Sequence, residues 1–422
     1  MKKIFFVACL LLSHAALAQS ERPVQPGEPF SALTMKAAMA LTRAQNSELA
    51  ALRNEVEATD GAAQQSRIIA NPVLSSTWEE VGKPGRSTSL EISQLIETGG
   101  KRSARIRAAG LGRDIATAEY DAKRIDVMTR VAQAFVDVLA AQRRKQISDQ
   151  AVALAAQAAD AVGKRVIAGK VSPVEETKAK LEAGAARIEA EQATRELASA
   201  RKRLSAFWGN ATPRFSEADG DLELLLTVPS LDTLAQRARS SPERMRAIAE
   251  VARRGALLDS EKAKRYPDFT LGAGVKRTLD RRENLPLFTI SMPLPIFDRN
   301  QGSVREALKR VDKARDEQSA IDTRLQSELG QTYERLKAIE MELTTLREEL
   351  LPGAKSAFDA ATTGYQLGKF GFLDALDAQR TLFRSNQQYV KAFAEYHRAI
   401  ADLERLTGEP LNAERAAVMN PQ

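Results

Sequence analysis

The longest regular segments of the chain have the pattern of helices. No proline occurs between Pro84 and Pro173 or between Pro295 and Pro352, so helices can run from about residue 101 to 168 and from about 302 to 367, with one kink. At about 1.5 Å per residue, each would be a rod on the order of 100 Å long. The second contains a coiled-coil seam at alternating spacings of four and three, formed by Leu325, Leu329, Thr332, Leu336, Ile339, Leu343, Leu346 and Leu350.

Four shorter segments are predicted to be strands, and the second, third and fourth of them alternate between apolar residues and small or polar ones. They cover residues 73–82, 86–95, 268–277 and 285–294. Each has about ten residues, the length that a tilted strand needs to cross the hydrocarbon layer of a membrane. The alternative is a pair of ordinary hairpins packed on the core of a soluble protein, and alternation alone leaves both possibilities open.

The same order of elements occurs twice. Asn71-Pro72 and Tyr266-Pro267 lie 195 residues apart, and Gly169-Lys170 and Gly368-Lys369 lie 199 apart. This nearly constant offset predicts a tandem duplication, in which each copy has a helix, a hairpin, a long helix, a glycine turn and a returning helix. We place the copies at residues 33–209 and 231–408, with turns at about 169 and 368. A linker at 19–32, a connector at 210–230 and a tail at 409–422 complete the chain.

The first 18 residues have the features of an export signal. Lys2 and Lys3 precede an apolar run, and Ala16-Leu17-Ala18 forms a small-residue cleavage site. We therefore expect cleavage after Ala18 and a mature protein outside the cytoplasm. Lipid attachment at Cys9 is the disfavoured alternative, because this cysteine lies inside the apolar run.

Composition excludes several classes of protein. The chain has one Cys and two His, and 5% of its residues are aromatic, so a thiol enzyme, a disulfide scaffold and a zinc site are all excluded from most of it. We find no phosphate-binding loop and no nucleophile beside a base, and we expect no enzyme activity, no cofactor and no resident metal.

The formal net charge of +7 falls to +5 without Lys2 and Lys3 (7 − 2). Charges alternate in sign along the helices, which does not favour nucleic-acid binding.

Membrane crossing would require strands shared between copies. No apolar stretch after residue 18 reaches the roughly 18 to 20 residues of a spanning helix. Four strands cannot close a barrel, and an open sheet edge in lipid leaves backbone groups unsatisfied. Several copies would therefore have to share one barrel, and three copies would supply twelve strands.

Several motifs resemble those of the TolC-like outer membrane factors. They are Asn71-Pro72, QLIETGGKR at 94–102, PLPIFDRNQG at 293–302, and residues 368–377. The chain is most similar to the heavy-metal efflux components of the cobalt-zinc-cadmium type. The resemblance implies a mainly α fold with membrane β-strands: a homotrimer with a twelve-stranded barrel in the outer membrane lipid and a helical tunnel in the periplasm.

The resemblance also implies partners and a function. The partners are a periplasmic adaptor and an inner-membrane pump of the resistance-nodulation-division class, and the trimer would be a passive conduit for divalent heavy-metal cations. Alternatives are a channel for drugs or for type I protein secretion, and a periplasmic coiled-coil adaptor or structural protein.

The candidate site residues lie at the two glycine turns. Asp374 and Asp377 are three residues apart and share a helix face. By residue type they are solvated acids at a helix start, whereas the resemblance places them in rings that line the periplasmic entrance. The resemblance also matches Glu175 and Tyr365 to residues of a latch that closes the entrance. Phe370 stands where the best-known relative has an arginine, so closure here would depend on packing or on the two turn lysines.

The turns themselves and one tryptophan complete the set. Gly169 with Lys170, and Gly368 with Lys369, are candidates for contact with the adaptor. Their alternative role is helix reversal. Trp78 is a candidate anchor at the membrane interface, with packing in a protein interior as its alternative.

Overall fold

A computed structural model of the protein describes residues 27–79, 86–278 and 283–411. The predicted signal segment, its cleavage point and most of the predicted linker and tail lie outside these residues. The first half of the chain contains β1 (Ala32–Thr34), α1 (Met35–Gln45), α2 (Ser47–Arg67), β2 (Val73–Glu79), β3 (Ser87–Ile96), α3 (Lys101–Ile167), α4 (Pro173–Ser205) and β4 (Glu217–Asp219). The second half contains α5 (Leu231–Ala238), α6 (Pro242–Ala263), β5 (Phe269–Thr278), β6 (Glu283–Ser291), α7 (Gln301–Thr345), α8 (Leu351–Gln366) and α9 (Phe372–Thr407).

The two hairpins form one antiparallel sheet with the strand order β2-β3-β5-β6. The pairing of β3 with β5 joins the two halves of the chain, from Ser87 opposite Thr278 to Ile96 opposite Phe269. Strands β2 and β6 are the edges of the sheet. A second, small sheet consists of β1 and β4, which pair in parallel.

Pairing sorts the side chains of the large sheet onto two faces, because alternate residues of a strand point to opposite sides. One row across the sheet contains Leu74, Ile92, Ala273 and Phe288, and the next contains Ser75, Glu91, Gly274 and Leu287. The apolar face is open in the single chain: Leu74 is 69% exposed and Phe288 is 82% exposed. No part of the described chain covers this face.

Strand β6 ends earlier in the sequence than predicted. We predicted a strand to residue 294, and the ladder ends at Ser291. Pro293 and Pro295 follow closely, and proline has no N–H to donate to a ladder. The predicted end of the first strand, at residue 82, lies outside the described residues, while β3 continues one residue beyond its predicted end, to Ile96.

The helices form long packed pairs. Helix α3 has 67 residues and lies against α2, α4, α6 and α9. Most of the predicted seam is buried together with residues of α9, and Leu336 and Leu346 are fully buried. Its last residue, Leu350, lies beyond α7 and is 48% exposed. A single π-turn, Leu346–Leu350, separates α7 from α8 immediately before Pro352. Proline cannot donate the regular helical hydrogen bond, which explains the wider turn at this point. Among the described helices, none has an apolar stretch long enough to cross a membrane.

The segment between the two halves is held by side chains of α9. The Tyr396 hydroxyl lies 2.9 Å from the backbone N of Leu226, and His397 Nε2 lies 2.8 Å from the carbonyl oxygen of Leu222. Leu222 and Leu226 also pack against the apolar cluster that contains Tyr396. This segment therefore belongs to the folded middle of the helical part.

A polar junction fixes the sheet to the helices. The Asp268 carboxylate accepts a hydrogen bond from the Thr98 N–H at 2.8 Å and pairs with Lys101 at 2.8 Å. Burial alone would raise the pKa of Asp268, but these two donors favour the charged form and its pKa lies below the ordinary value. The charged Asp268 carboxylate therefore stabilises the folded protein fully at pH values above the ordinary carboxyl pKa. This stabilisation is lost as the pH falls through the lowered pKa of the folded state.

A glycine in this junction allows a close approach. Gly99 has a φ of +64°, and a Cβ there would lie 2.7 Å from the Tyr266 ring. We expect Gly99→Ala to destabilise the protein by about 1–3 kcal/mol through backbone strain and this clash. The control is Gly61→Ala inside α2, where a Cβ meets no atom within 4 Å and alanine favours the helix. In thermal unfolding of the purified variants, Gly99→Ala should have a lower melting temperature than Gly61→Ala. Equal melting temperatures of the two variants would contradict the close approach at Gly99.

Candidate functional site

Both long helical segments end in the same kind of turn. Gly169 and Gly368 have φ values of +68° and +74°. The N–H of the following residue, Lys170 or Lys369, donates back to the carbonyl oxygen of Arg165 or Gly364, at 2.9 and 2.8 Å. This left-handed glycine with a bond back into the last turn is a common way to end a helix. The glycines therefore reverse the chain at two ends, here called the first tip (residues 168–172) and the second tip (residues 367–371).

The helices beside the two tips share one apolar cluster. Its buried members are Val162 from α3, Ala179 from α4, and Phe372 and Leu376 from α9. Tyr365, at the end of α8, packs against this cluster, and its ring lies 5.8 Å from that of Phe372. Elements about 200 residues apart in sequence thus meet at this end of the molecule.

A cation from the first half of the chain contacts the second half here. Arg165 Nη1 donates to the carbonyl oxygen of Tyr365 at 3.1 Å, and its guanidinium carbon lies 4.5 Å from the Tyr365 ring centroid. Sequence reasoning missed Arg165, because basic residues are common in the last turn of a helix and nothing local distinguishes it. Phe370, at the position of the expected arginine, instead lies against Gly364, where an added Cβ would be 2.1 Å from its ring.

The turn lysines have no such contact. Within the described ranges, no ion pair involves Lys170 or Lys369, and both are exposed. Their exposure at the two tips leaves them accessible to another molecule.

Glu175 and Tyr365 each bury a polar atom without a partner. Among the residues that the structure describes, neither Glu175 Oε2 nor the Tyr365 hydroxyl has a hydrogen-bond partner. Leaving such an atom unpaired costs about 1–3 kcal/mol. Glu175 lies one turn before Ala179 of the shared cluster, and Tyr365 packs against the same cluster.

Asp374 and Asp377 are both exposed at the start of α9. Asp374 Oδ2 accepts a hydrogen bond from the Gly371 N–H at 2.9 Å, and it therefore caps the helix. The pKa of Arg380, one turn beyond Asp377, is raised chiefly by its hydrogen bond to Glu182 and to a lesser extent by the charge of Asp377. The Asp377 carboxylate thus adds negative charge to a face that already carries Asp374.

The predicted interface residue lies at the opposite end of the molecule. Trp78 belongs to the apolar face of the sheet, one pair from the end of β2, and is 66% exposed. The single chain does not bury it. In the described part of the chain, no group of three or more His, Cys, Asp or Glu side chains has the arrangement of a metal site.

Comparison with known sequences decides the family. The sequence profile of the outer membrane efflux protein family matches residues 38–210 and 234–409, once for each half. The chain belongs to this family. It is 39% identical over 417 residues to the cobalt-zinc-cadmium resistance protein CzcC of Cupriavidus metallidurans, covering 97% of this chain and 100% of the relative.

Solved structures show the same fold as this outer membrane efflux protein. A membrane protein from Pseudomonas aeruginosa matches with a TM-score of 0.79 at 20% identity, covering 89% of this chain and 90% of the other. The outer membrane protein VceC from Vibrio cholerae matches with a TM-score of 0.76 at 18% identity, covering 90% and 97%. The predicted TolC-like fold class is therefore confirmed, and the matched family is one of channel proteins.

The contact of Arg165 with Tyr365 gives a test of the tip geometry in this efflux protein. Arg165→Ala removes a charge-assisted hydrogen bond and a cation–π contact, together worth about 1.5–3 kcal/mol. We expect amide hydrogen exchange at residues 362–372 to become about tenfold faster or more. The control is Lys164→Ala, which removes an exposed pair with Asp160. Equal exchange in the two variants would show that Arg165 does not hold the tips together.

Proposed function

We propose that three copies of this chain form the outer membrane channel of a tripartite efflux system. The channel is a passive conduit to the cell exterior for divalent heavy-metal cations. It receives them from a periplasmic adaptor and an inner-membrane pump of the resistance-nodulation-division class. The observation that carries the proposal is the four-stranded sheet with one open apolar face and two unpaired edges, in a chain of the outer membrane efflux family.

The shape of the sheet supports assembly into a trimer. In lipid, the free backbone groups of β2 and β6 have no water to bind, at a cost of several kcal/mol each. Pairing β2 of one copy with β6 of the next satisfies both edges, and three copies give a closed sheet of twelve strands. The apolar face then meets lipid, while the face with Ser75, Glu91 and Lys276 lines the water-filled interior.

The helices extend this interior on the periplasmic side. Because α3 follows β3 after four residues, and α7 follows β6 after nine, the long helices of three copies surround the same axis. The tips lie at the far end, where Asp374 and Asp377 of three copies form carboxylate rings. The exposed Gly169-Lys170 and Gly368-Lys369 turns are the contact points for the adaptor.

The entrance is closed by contacts between the tips. Phe370 stands where an arginine was expected, so the cation at the entrance is instead Arg165, which contacts Tyr365. The unpaired Glu175 Oε2 and Tyr365 hydroxyl become satisfied by groups of the adjacent copy or by water admitted when the tips separate. Closure therefore combines packing in the shared cluster with one intrachain cation.

Export and cargo complete the proposal. The signal at residues 1–18 directs the chain out of the cytoplasm, is removed after Ala18, and the mature chain carries no lipid. Divalent metal cations are the cargo because the full-length similarity is to a cobalt-zinc-cadmium resistance protein. A passive duct should not hold its cargo tightly, so it requires no cofactor or resident metal and performs no enzymatic reaction.

Deletion and complementation test the cargo. In the source bacterium, loss of this gene should lower tolerance to cobalt, zinc and cadmium while leaving drug tolerance and secreted proteins unchanged, because the conduit serves a metal pump. Restoring the gene should restore metal tolerance. Loss of drug tolerance or protein secretion, with metal tolerance intact, would contradict the proposed cargo.

Single-channel conductance tests the carboxylate rings. Replacing Asp374 and Asp377 together by Asn should raise the concentration of a trivalent cation needed for half-block by about tenfold or more, because two rings of charge are removed. The matched control is Glu348→Gln with Glu349→Gln, two exposed acids far from the tips. Unchanged block in the Asn variant would remove both aspartates from the entrance.

A further inference from the structure

One row of residues across the sheet places an arginine on the apolar face. The row next to the hairpin turns on that face contains Trp78, Thr88, Arg277 and Asn284, paired side by side across all four strands. The neighbouring row of the same face contains Ser76, Leu90, Val275 and Pro286. Arg277 therefore projects from the apolar side of the sheet.

The adjacent residue of β5, Lys276, differs from Arg277 because it has an ion-pair partner. Its side chain lies on the opposite face of the sheet, where it pairs with Glu79 at 2.5 Å. In the described part of the chain, Arg277 is exposed and has no ion pair. Its row neighbours Thr88 and Asn284 are uncharged, as is Trp78 on the far side of Thr88. Strand β5 lies between β3 and β6, so an adjacent copy joined at the sheet edges does not cover it.

The depth of the row indicates its surroundings. From Leu271 to Arg277 the strand advances six residues, or roughly 20 Å along its own axis at about 3.3 Å each, which is about 15 Å of depth for strands tilted by about 35–45°. This places Arg277 at the boundary of the apolar band that is farther from the helices. An arginine costs about 2–4 kcal/mol at the middle of a membrane but about 0–1 near its interfaces, where tryptophan is also enriched.

We infer that Arg277, with Asn284 beside it and Trp78 two strands away in the same row, binds a phosphate group of a lipid headgroup in the outer leaflet. The inference rests on the proposed function, which places the apolar face in lipid and the helices on the periplasmic side, so that Arg277 lies toward the cell exterior. A guanidinium donates two parallel hydrogen bonds to phosphate oxygens, and the Asn284 amide adds a further donor. The occupant is a lipid, because the row continues an apolar band and its arginine has no ion-pair partner among the described residues.

The binding point recurs three times around the trimer, once on each copy. Each would hold an anionic headgroup at a fixed height and so resist vertical displacement of the barrel. Charge on the opposite face has no access to lipid, so Lys276 provides a matched control on the adjacent residue.

Thermal unfolding of the purified full chain in detergent tests the inference. Titration with lipopolysaccharide should raise the melting temperature, and lipopolysaccharide stripped of its lipid phosphates should have a smaller effect. Arg277→Gln should raise the half-saturating concentration of the intact lipid about tenfold and lose the difference between the two lipids. Arg277→Lys should be intermediate, since it keeps the charge without the paired donors. Lys276→Gln should behave like the unchanged protein.

Two results would overturn the inference. Equal stabilisation of Arg277→Gln and the unchanged protein by the intact lipid would do so, as would equal stabilisation of the unchanged protein by both lipids. Native mass spectrometry of each variant shows whether it still assembles. A protein recovered as a water-soluble single chain would contradict the proposed function itself, whereas a lipid-stabilised trimer indifferent to residue 277 would contradict only the phosphate contact.

Discussion

The architecture depends on one constraint: the edges of a sheet that enters lipid must be paired. The large sheet of this chain has two free edges, β2 and β6, and a face that leaves Leu74 and Phe288 open. In water such a surface favours aggregation, and in lipid each unpaired backbone group is costly. Association of identical copies edge to edge removes both problems, and it turns a sheet that is incomplete in one chain into part of a closed wall.

Duplication supplies the parts for this assembly. Each half contributes one hairpin, and the β3 to β5 pairing joins them in a single sheet. The long helices then extend away from the sheet and meet again at the tips, where Arg165 of one half contacts Tyr365 of the other. The same chain is therefore tied together at both ends, by backbone pairing at the sheet and by side chains at the tips. The polar junction around Asp268 connects the start of β5 with the segment that leads into α3.

Local signals in the sequence predicted most of the elements. Proline before each hairpin, glycine at each tip and alternation along the strands are features that act within a few residues. The prediction was wrong at the end of β6, where Pro293 and Pro295 outweigh the alternation. Arg165 was missed for a different reason. Its partner lies 200 residues away, and no local pattern distinguishes a cation that contacts another segment from one that only favours the end of a helix. The roles of Asp374, Asp377 and Glu175 stay predictions, because they concern surfaces that adjacent copies would share.

The most direct test joins the two edges of the sheet chemically. The only cysteine of the chain, Cys9, lies in the predicted signal, so a double variant with Ser75→Cys on β2 and Leu287→Cys on β6 carries one thiol at each edge of the mature protein. A bismaleimide with a spacer of about 8 Å is too short to join the two edges of one sheet, which are about 14 Å apart. Applied to outer membranes, it should link this variant into species of up to three copies, while each single variant stays at one copy. Absence of any linked species from the double variant, with both thiols shown to be reactive, would contradict the shared sheet.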